Sequence, residues 1–161
     1  MNAKYVLAFG AEGVQACLTA PFFLMFVHKV YLEGVNADQQ HIGDILASAG
    51  HLGRHTSVLL MRHRWGPAQG AQTIAAASKK LVIEDYRWTH STLRPWGTEI
   101  PIQCPTCGAL GSLKCKQGQH GAVIVRCHGQ DCKYTHTHEK PREWQLVHGG
   151  DGGSWAVSTR E

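Results

Sequence analysis

Hydrophobic and polar positions near the start of the chain alternate between short apolar runs and longer, helix-like stretches. Residues 4–9 form a brief apolar run rich in β-forming side chains, and Gly10 closes it, so the pattern predicts a buried strand. Side chains from Pro21 to Gly34 are almost all apolar. Proline suits a first helical turn and glycine suits a helix stop, so this stretch predicts a helix that is covered on several sides.

A second helix is predicted immediately afterwards. Asn36 or Asp38 can cap it, apolar residues recur at helical spacing, and Gly50 ends it. Residues 55–61 have a continuous apolar centre and predict another strand. The order strand, helix, helix, strand over residues 1–65 predicts an α+β protein, or a fragment of an α/β protein.

The periodic pattern is lost between residues 62 and 80, where glycine, alanine and glutamine are frequent. This composition predicts a linker, so we interpret residues 66–100 as a connector with one possible strand at 81–88. We interpret residues 143–161 as a tail, in which the sequence GGDGG at 149–153 predicts fraying because it is too rich in glycine to order itself, although Trp155 could dock on the protein. The segment between connector and tail, residues 101–142, carries the strongest candidate chemistry.

Composition and charge add one asymmetry to this picture. The chain has 161 residues, 43% of them hydrophobic, and a net charge of +4, which suits one compact domain or a small core with a metal-stapled module. The charge surplus lies in residues 102–142, where six basic side chains accompany two acidic ones. A local excess of positive charge favours approach to a polyanion.

The longest apolar run, residues 18–27, is about half the ~20 residues that cross a bilayer, so the sequence predicts no transmembrane helix. No signal-peptide pattern is expected either, because Glu12 precedes the run and no small-residue cleavage site follows it. We therefore expect a cytoplasmic or nuclear protein. In such reducing compartments, clustered cysteines are more often metal ligands than disulfides.

Two cysteine pairs form the most specific pattern in the sequence. Cys104 and Cys107 are separated by two residues, Cys127 and Cys132 by four, and nineteen residues lie between the pairs. This spacing predicts four thiolates around one tetrahedral Zn²⁺, which would be structural because a closed shell leaves no position for water. The β-branched run 122–126 and the turn at 117–121 predict a β-hairpin that leads directly into Cys127.

The pattern resembles the zinc-ribbon family, in which two knuckles at hairpin ends clamp one zinc ion. The resemblance covers about residues 103–136 and departs from the family in the longer second knuckle. It implies a zinc-ribbon-like module over residues 101–142 with the same four ligands.

Other ligand sets remain open, because five further thiol or imidazole side chains lie in the same region: Cys115, His120, His128, His136 and His138. Cys104, Cys107 and His120 begin like a Cys₂His₂ finger. However, no second histidine follows at finger spacing, and Gly118 and Gly121 disfavour the helix that a finger requires. Cys115 is better explained as a small apolar packing residue or as a substitute ligand.

Outside the cysteine region the sequence offers little catalytic chemistry, so an enzymatic function is not favoured. Cys17 with His51 or His55 could form a thiol and base, but no local motif supports the pair, and we expect Cys17 to be interior. Residues 10–13 (GAEG) follow a strand but lack the further glycine or lysine of a phosphate-binding loop.

The sequence therefore predicts a small zinc-binding protein that binds a macromolecule, either nucleic acid or protein, through a basic hairpin. The predicted contacts are Lys114, Lys116, Arg126 and Lys133. Several tryptophans have basic neighbours, as in Arg94 and Trp96, and such pairs can stack nucleobases when exposed. The apolar helix at 22–31 could also be covered by a second copy of the chain in a homodimer.

An alternative follows from the first 50 residues (YVLAFGAEGVQACLTAPFFLMFVHKVYLEGVNADQQHIGDILASAG), which resemble the final strand and helices of caspase-like CHAT domains. In that family the catalytic His and Cys come from segments further upstream. The resemblance implies a non-catalytic C-terminal piece of a larger hydrolase.

Overall fold

The computed structural model of the protein describes residues 4–49, 51–67, 77–150 and 152–161. Helices α1 (Ala16–Phe26) and α2 (Gln39–Ser48) lie in the first of these ranges, and α1 continues into a π-helical segment, Val27–Leu32. The strands of the described residues are β1 (Tyr5–Phe9), β2 (Val58–Pro67), β3 (Ala77–Thr89), β4 (Leu113–Gln117), β5 (Val123–Cys127), β6 (Thr135–His138), β7 (Gln145–Gly150) and β8 (Gly153–Arg160).

Within the described parts of the chain, the strands form two antiparallel sheets. The first sheet has the order β1-β2-β3-β8-β7, and the second has the order β4-β5-β6. The protein is therefore mixed α+β and mostly β, which confirms the predicted α+β class. An α/β fragment would contain parallel strand pairs, and every pair here is antiparallel.

The hydrophobic core lies between one face of the first sheet and the two helices. Phe22 of α1 and Ile42 and Leu46 of α2 are fully buried against Leu60 and Tyr86, which point from neighbouring strands to the same face. Val58 and Leu60, two residues apart on β2, both point into this core, as expected for a sheet with one face covered by helices. The helices thus complete a two-layer unit around the first sheet.

Both predicted helices are present, with altered bounds. Helix α1 begins at Ala16, not at Pro21, which lies inside it. Gly34 stops the segment with φ +72°, and Asp38 caps α2 by accepting a hydrogen bond from the His41 backbone N–H at 2.9 Å. Gly50, the predicted end of α2, lies outside the described residues.

The apolar helix is covered on one side only. Leu24 and Leu32 are 73% and 74% exposed, so the prediction that the helix is covered on several sides is wrong within the described structure. The homodimer contact through this helix stays a prediction. No helix among the described residues combines the length and apolar character needed to cross a membrane.

Part of the predicted connector is sheet, because β2 and β3 extend into it, and the possible strand at 81–88 lies within β3. Strand β2 continues to Pro67 and β3 begins at Ala77, whereas residues 68–76 lie outside the described structure. The predicted strand ended at residue 61, but β2 continues through Arg62, whose guanidinium lies 2.7 Å from the carboxylate of Glu84, which is 1% exposed. Because the partner strand satisfies this charge, β2 can extend through it.

The predicted fraying of residues 149–153 is also wrong, because Gly149, Gly150 and Gly153 lie in paired strands. Strands β7 and β8 pair with each other, and β8 also pairs with β3, so the end of the chain lies inside the first sheet. Gly153 has φ +123°, and a Cβ there would lie 2.5 Å from the Trp88 indole. Trp155, two residues further, is 3% exposed.

The position of β8 predicts that Trp155→Ala destabilises the protein by about 3–5 kcal/mol, the usual cost of removing a buried large aromatic side chain. Urea unfolding followed by circular dichroism measures the change. Leu146→Ala on the neighbouring strand is the matched control, because Leu146 is 55% exposed and its loss should cost less than about 1 kcal/mol. Equal effects of the two substitutions would show that β8 does not stabilise the sheet.

Candidate metal centre

The four predicted ligands come from two turns that lie at the same end of the second sheet. Cys104 and Cys107 occupy a turn before β4, and an isolated bridge between Gln103 and Leu110 closes that turn. Cys127 is the last residue of β5, and Cys132 lies in the loop that leads to β6. The antiparallel pairing of Leu113 with Cys127 brings the first turn beside the second.

The first turn is held by its own backbone. The Gly108 N–H donates to the Cys104 carbonyl at 2.9 Å, and the Cys104 N–H donates to the Ala109 carbonyl at 3.0 Å. Gly108 has φ +72°, a conformation that glycine adopts without strain, so the glycine after Cys107 is needed for this turn. The side-chain amide of Gln103 donates to the Gly108 carbonyl at 2.8 Å and stabilises the turn further.

The second turn accommodates its longer spacing through Gly129 and Asp131. The Gly129 N–H donates to the Cys127 sulfur at 3.2 Å, and the Cys132 N–H donates to the Gly129 carbonyl at 3.2 Å. Asp131 adopts φ +59°, which turns the chain back toward the first turn. A Cβ at residue 129 would lie 3.2 Å from the Cys107 sulfur, so glycine leaves room for the approach of the two turns.

All four sulfur atoms converge within 4.8 Å of one another. The Cys104 and Cys132 sulfurs are 3.8 Å apart, and those of Cys107 and Cys127 are 3.6 Å apart. Sulfurs that share a tetrahedral metal with bonds of ~2.3 Å lie ~3.8 Å from each other, whereas a disulfide bond is ~2.05 Å long. The four cysteines are free thiols at distances suited to a common metal ion.

Ionisation of the thiols also favours a cation at this point. Hydrogen bonding to Ser112 and to the Gly129 backbone N–H lowers the pKa of Cys127 to about 6. A hydrogen bond with the Tyr134 backbone lowers the pKa of Cys132. Burial and hydrogen bonds with the other thiols outweigh this effect and raise the pKa of Cys132 to about 12. The Cys127 thiol therefore ionises readily, whereas the Cys132 thiol resists ionisation next to it. A cation among the sulfurs would compensate the negative charges of both thiolates.

The alternative ligands lie elsewhere. Among the described residues, the four cysteines form the only group of three or more potential ligands close enough to share an ion. The Cys115 thiol donates to the Thr92 carbonyl at 3.4 Å, and partial burial raises its pKa, which fits a packing residue. The imidazole rings of His136 and His138 contact each other, with centroids 4.6 Å apart, and are not part of the cysteine group.

Cys17 and the two bases considered for it, His51 and His55, do not form a catalytic site in the described structure. Cys17 is exposed, contrary to the expectation that it is interior, and its sulfur lies 3.6 Å from the Gln15 amide oxygen. No group of ligating side chains that includes it occurs among the described residues.

The predicted contact residues lie on the second sheet and beside it. Lys114 pairs directly across from Arg126, and Lys116 lies two residues along the same strand, so the three side chains share one face. All three are exposed. Lys133 is exposed in the loop between Cys132 and β6. We call the face that carries Lys114, Lys116 and Arg126 the basic face.

Sequence reasoning missed several features near the centre. Strand β6 pairs with β5 and makes the predicted hairpin a three-stranded sheet, but its sequence, THTH, has no apolar residue that signals a strand. The Ser112 hydroxyl, 3.2 Å from the Cys127 sulfur, also escaped notice, because the contact depends on the β4–β5 register.

Comparisons of the chain with models of known protein families, with curated proteins and with solved structures find no match. The resemblances to zinc ribbons and to CHAT domains stay predictions, and the site must be interpreted from its own geometry.

The convergence of the sulfurs predicts one bound metal ion per chain in protein purified under reducing conditions. Replacing any one of Cys104, Cys107, Cys127 or Cys132 by serine should abolish stable binding, because each substitution removes one of four ligands. Metal content measured by mass spectrometry tests this. Cys115→Ser is the matched control and should retain the ion, since its sulfur lies outside the group; loss of metal in that variant would contradict the assignment.

Proposed function

We propose that the protein is a zinc-stabilised nucleic-acid-binding protein, in which Cys104, Cys107, Cys127 and Cys132 hold one structural Zn²⁺. The observation that carries the proposal is the position of the basic face on a small sheet whose end is closed by four converging thiols.

The donor set supports zinc. Four thiolates in a tetrahedral arrangement are soft ligands that select Zn²⁺ over magnesium or calcium, which prefer oxygen. Four sulfurs also complete the coordination shell and leave no position for a water molecule, so the ion stabilises structure.

The basic face supports a polyanionic partner. Strands β4, β5 and β6 contain no acidic residue, and Thr135 and Thr137 of β6 extend the basic face because they pair with Arg126 and Ile124. Lysine and arginine on an extended face neutralise phosphates, while threonine hydroxyls hydrogen-bond to phosphate oxygens. A protein groove with acidic side chains is the competing partner, and the salt dependence below separates the two.

Removal of zinc should unfold the second sheet selectively. Hydrogen exchange measured by mass spectrometry before and after chelation should show loss of protection in residues 113–127, while residues 153–160 keep theirs, because the first sheet has its own core. Unchanged protection of residues 113–127 in metal-free protein would show that the ion is not structural. Co²⁺ substituted for zinc should give the visible absorption of a tetrahedral thiolate site.

Nucleic-acid binding should weaken steeply as salt is added. With a labelled single-stranded oligonucleotide and fluorescence anisotropy, a variant with Lys114→Gln, Lys116→Gln and Arg126→Gln should bind more weakly. The slope of log affinity against log salt should fall by about 2, because each lost phosphate contact contributes ~0.7 on a single strand.

A matched control carries Lys29→Gln, Lys80→Gln and Arg160→Gln. These substitutions also remove three positive charges, but from the part of the protein that contains the first sheet and the helices. It should keep the wild-type slope. Identical slopes for the two variants would remove the basic face from the proposal. Absence of binding at low salt would reject nucleic acid as the partner and leave the protein groove.

A further inference from the structure

A cleft of about 560 Å³ lies between the two sheets, at the end of the β4–β5 hairpin opposite to the cysteines. Thr89 at the end of β3 and the following residue His90 line one side, Gln117 and Val123 of the second sheet line the other, and Trp96 lines the cleft from the connector between the sheets. Its volume is within the ~300–1,000 Å³ that is typical of ligand sites. None of the four cysteines lines it.

Backbone strain is concentrated at two residues of this cleft. Trp96 has φ 51° and ψ 36°, and His120 has φ 54° and ψ 29°. Such left-handed conformations are unfavourable for a residue with a Cβ, and they cluster at sites where geometry serves a function.

Hydrogen bonds hold the Trp96 indole in its strained position. The Trp96 backbone N–H donates to the Thr89 hydroxyl at 2.8 Å, and the indole N–H donates across the cleft to the Gly121 carbonyl at 2.9 Å. The aromatic ring is thus fixed between the two sheets without the rotamer freedom of an ordinary surface side chain. A preorganised ring of this kind is suited to stacking against another planar group.

The polar lining of the cleft favours an anion. The Lys140 ammonium lies 5.5 Å from the Trp96 ring centroid. The His90 Nδ1 atom accepts hydrogen bonds from the backbone N–H groups of Thr92 and Leu93 at 3.2 Å each, which leaves Nε2 as the ring nitrogen that can donate to a ligand. No carboxylate occurs among the described residues that line the cleft. The ligand class that fits is therefore planar, aromatic and negatively charged.

We propose that the cleft holds one unstacked base of a single-stranded nucleic acid, with Trp96 stacking on the base and Lys140 contacting the adjoining phosphate. The inference rests on the proposed nucleic-acid function and specifies its substrate as single-stranded. Strand β4 connects the two surfaces, because Gln117 faces the cleft and Lys116, its neighbour, lies on the basic face. Because successive side chains of a strand point to opposite faces of its sheet, a nucleic acid that leaves the cleft passes round the end of the β4–β5 hairpin to reach the basic face. A base inside a duplex is stacked and paired, and so it cannot enter.

The test compares two oligonucleotides of equal length and charge, an oligothymidine and its abasic counterpart, by anisotropy at low salt. Wild-type protein should bind oligothymidine more tightly, since base stacking on one aromatic ring contributes about tenfold in affinity. Trp96→Leu should lose this preference while keeping the wild-type salt slope. Trp144→Leu is the matched control: it removes an indole that contacts Arg87 outside the cleft lining, and it should behave as wild type.

A second measurement uses unaltered protein, in case Trp96→Leu does not fold. An oligonucleotide with 5-iodouracil is irradiated in the complex, and the crosslinked peptide is identified by mass spectrometry; the expected attachment is at Trp96. Crosslinks confined to the basic face, or equal binding of the base-bearing and abasic strands to wild type, would overturn the cleft assignment while the proposed function stands. Absence of binding by either strand at low salt would overturn both.

Discussion

The convergence of four cysteine sulfurs is the constraint on which the second sheet depends. Two turns, nineteen residues apart in the sequence, must meet within 4.8 Å for the sheet to close at one end. The sheet has little else to hold it, because its buried apolar residues outside the ligand set are Val123 and Val125. A structural metal ion contributes about 10–16 kcal/mol of apparent binding free energy, which exceeds what two valines provide.

The first sheet is stabilised by hydrophobic packing instead. Its covered face carries a continuous core, and the Arg62–Glu84 ion pair occurs where that core meets solvent. We therefore expect the two units to respond to different conditions: oxidation, or chelation of an ion bound by the sulfurs, would act on the second sheet, whereas denaturant would act on the apolar core of the first. Trp96 joins the units, because it hydrogen-bonds to Thr89 on one side and to Gly121 on the other.

Local patterns in the sequence were enough to predict the cysteine group, the β4–β5 hairpin and the approximate positions of both helices. They failed where distant residues decide the structure. Arg62 lies within a strand, where Glu84 compensates its charge, and Gly149, Gly150 and Gly153 lie in strands because β8 pairs with β3 as well as β7. Nothing local to Trp96 indicates its positive φ, since the residue is held there by partners seven and twenty-five positions away.

The geometry of the hairpin explains how a remote ion can specify both proposed contact surfaces. The β4–β5 ladder runs from the pair Leu113–Cys127 at the cysteines to Gln117–Val123 at the cleft, a distance of ~14 Å at ~3.4 Å per residue. A slip of one residue in this ladder would exchange the two faces of the moving strand. Lys116 would then leave the basic face and Gln117 would leave the cleft. Because Cys127 can join the other sulfurs in one register only, an ion bound by them would fix that register and so decide which side chains form the basic face and which line the cleft.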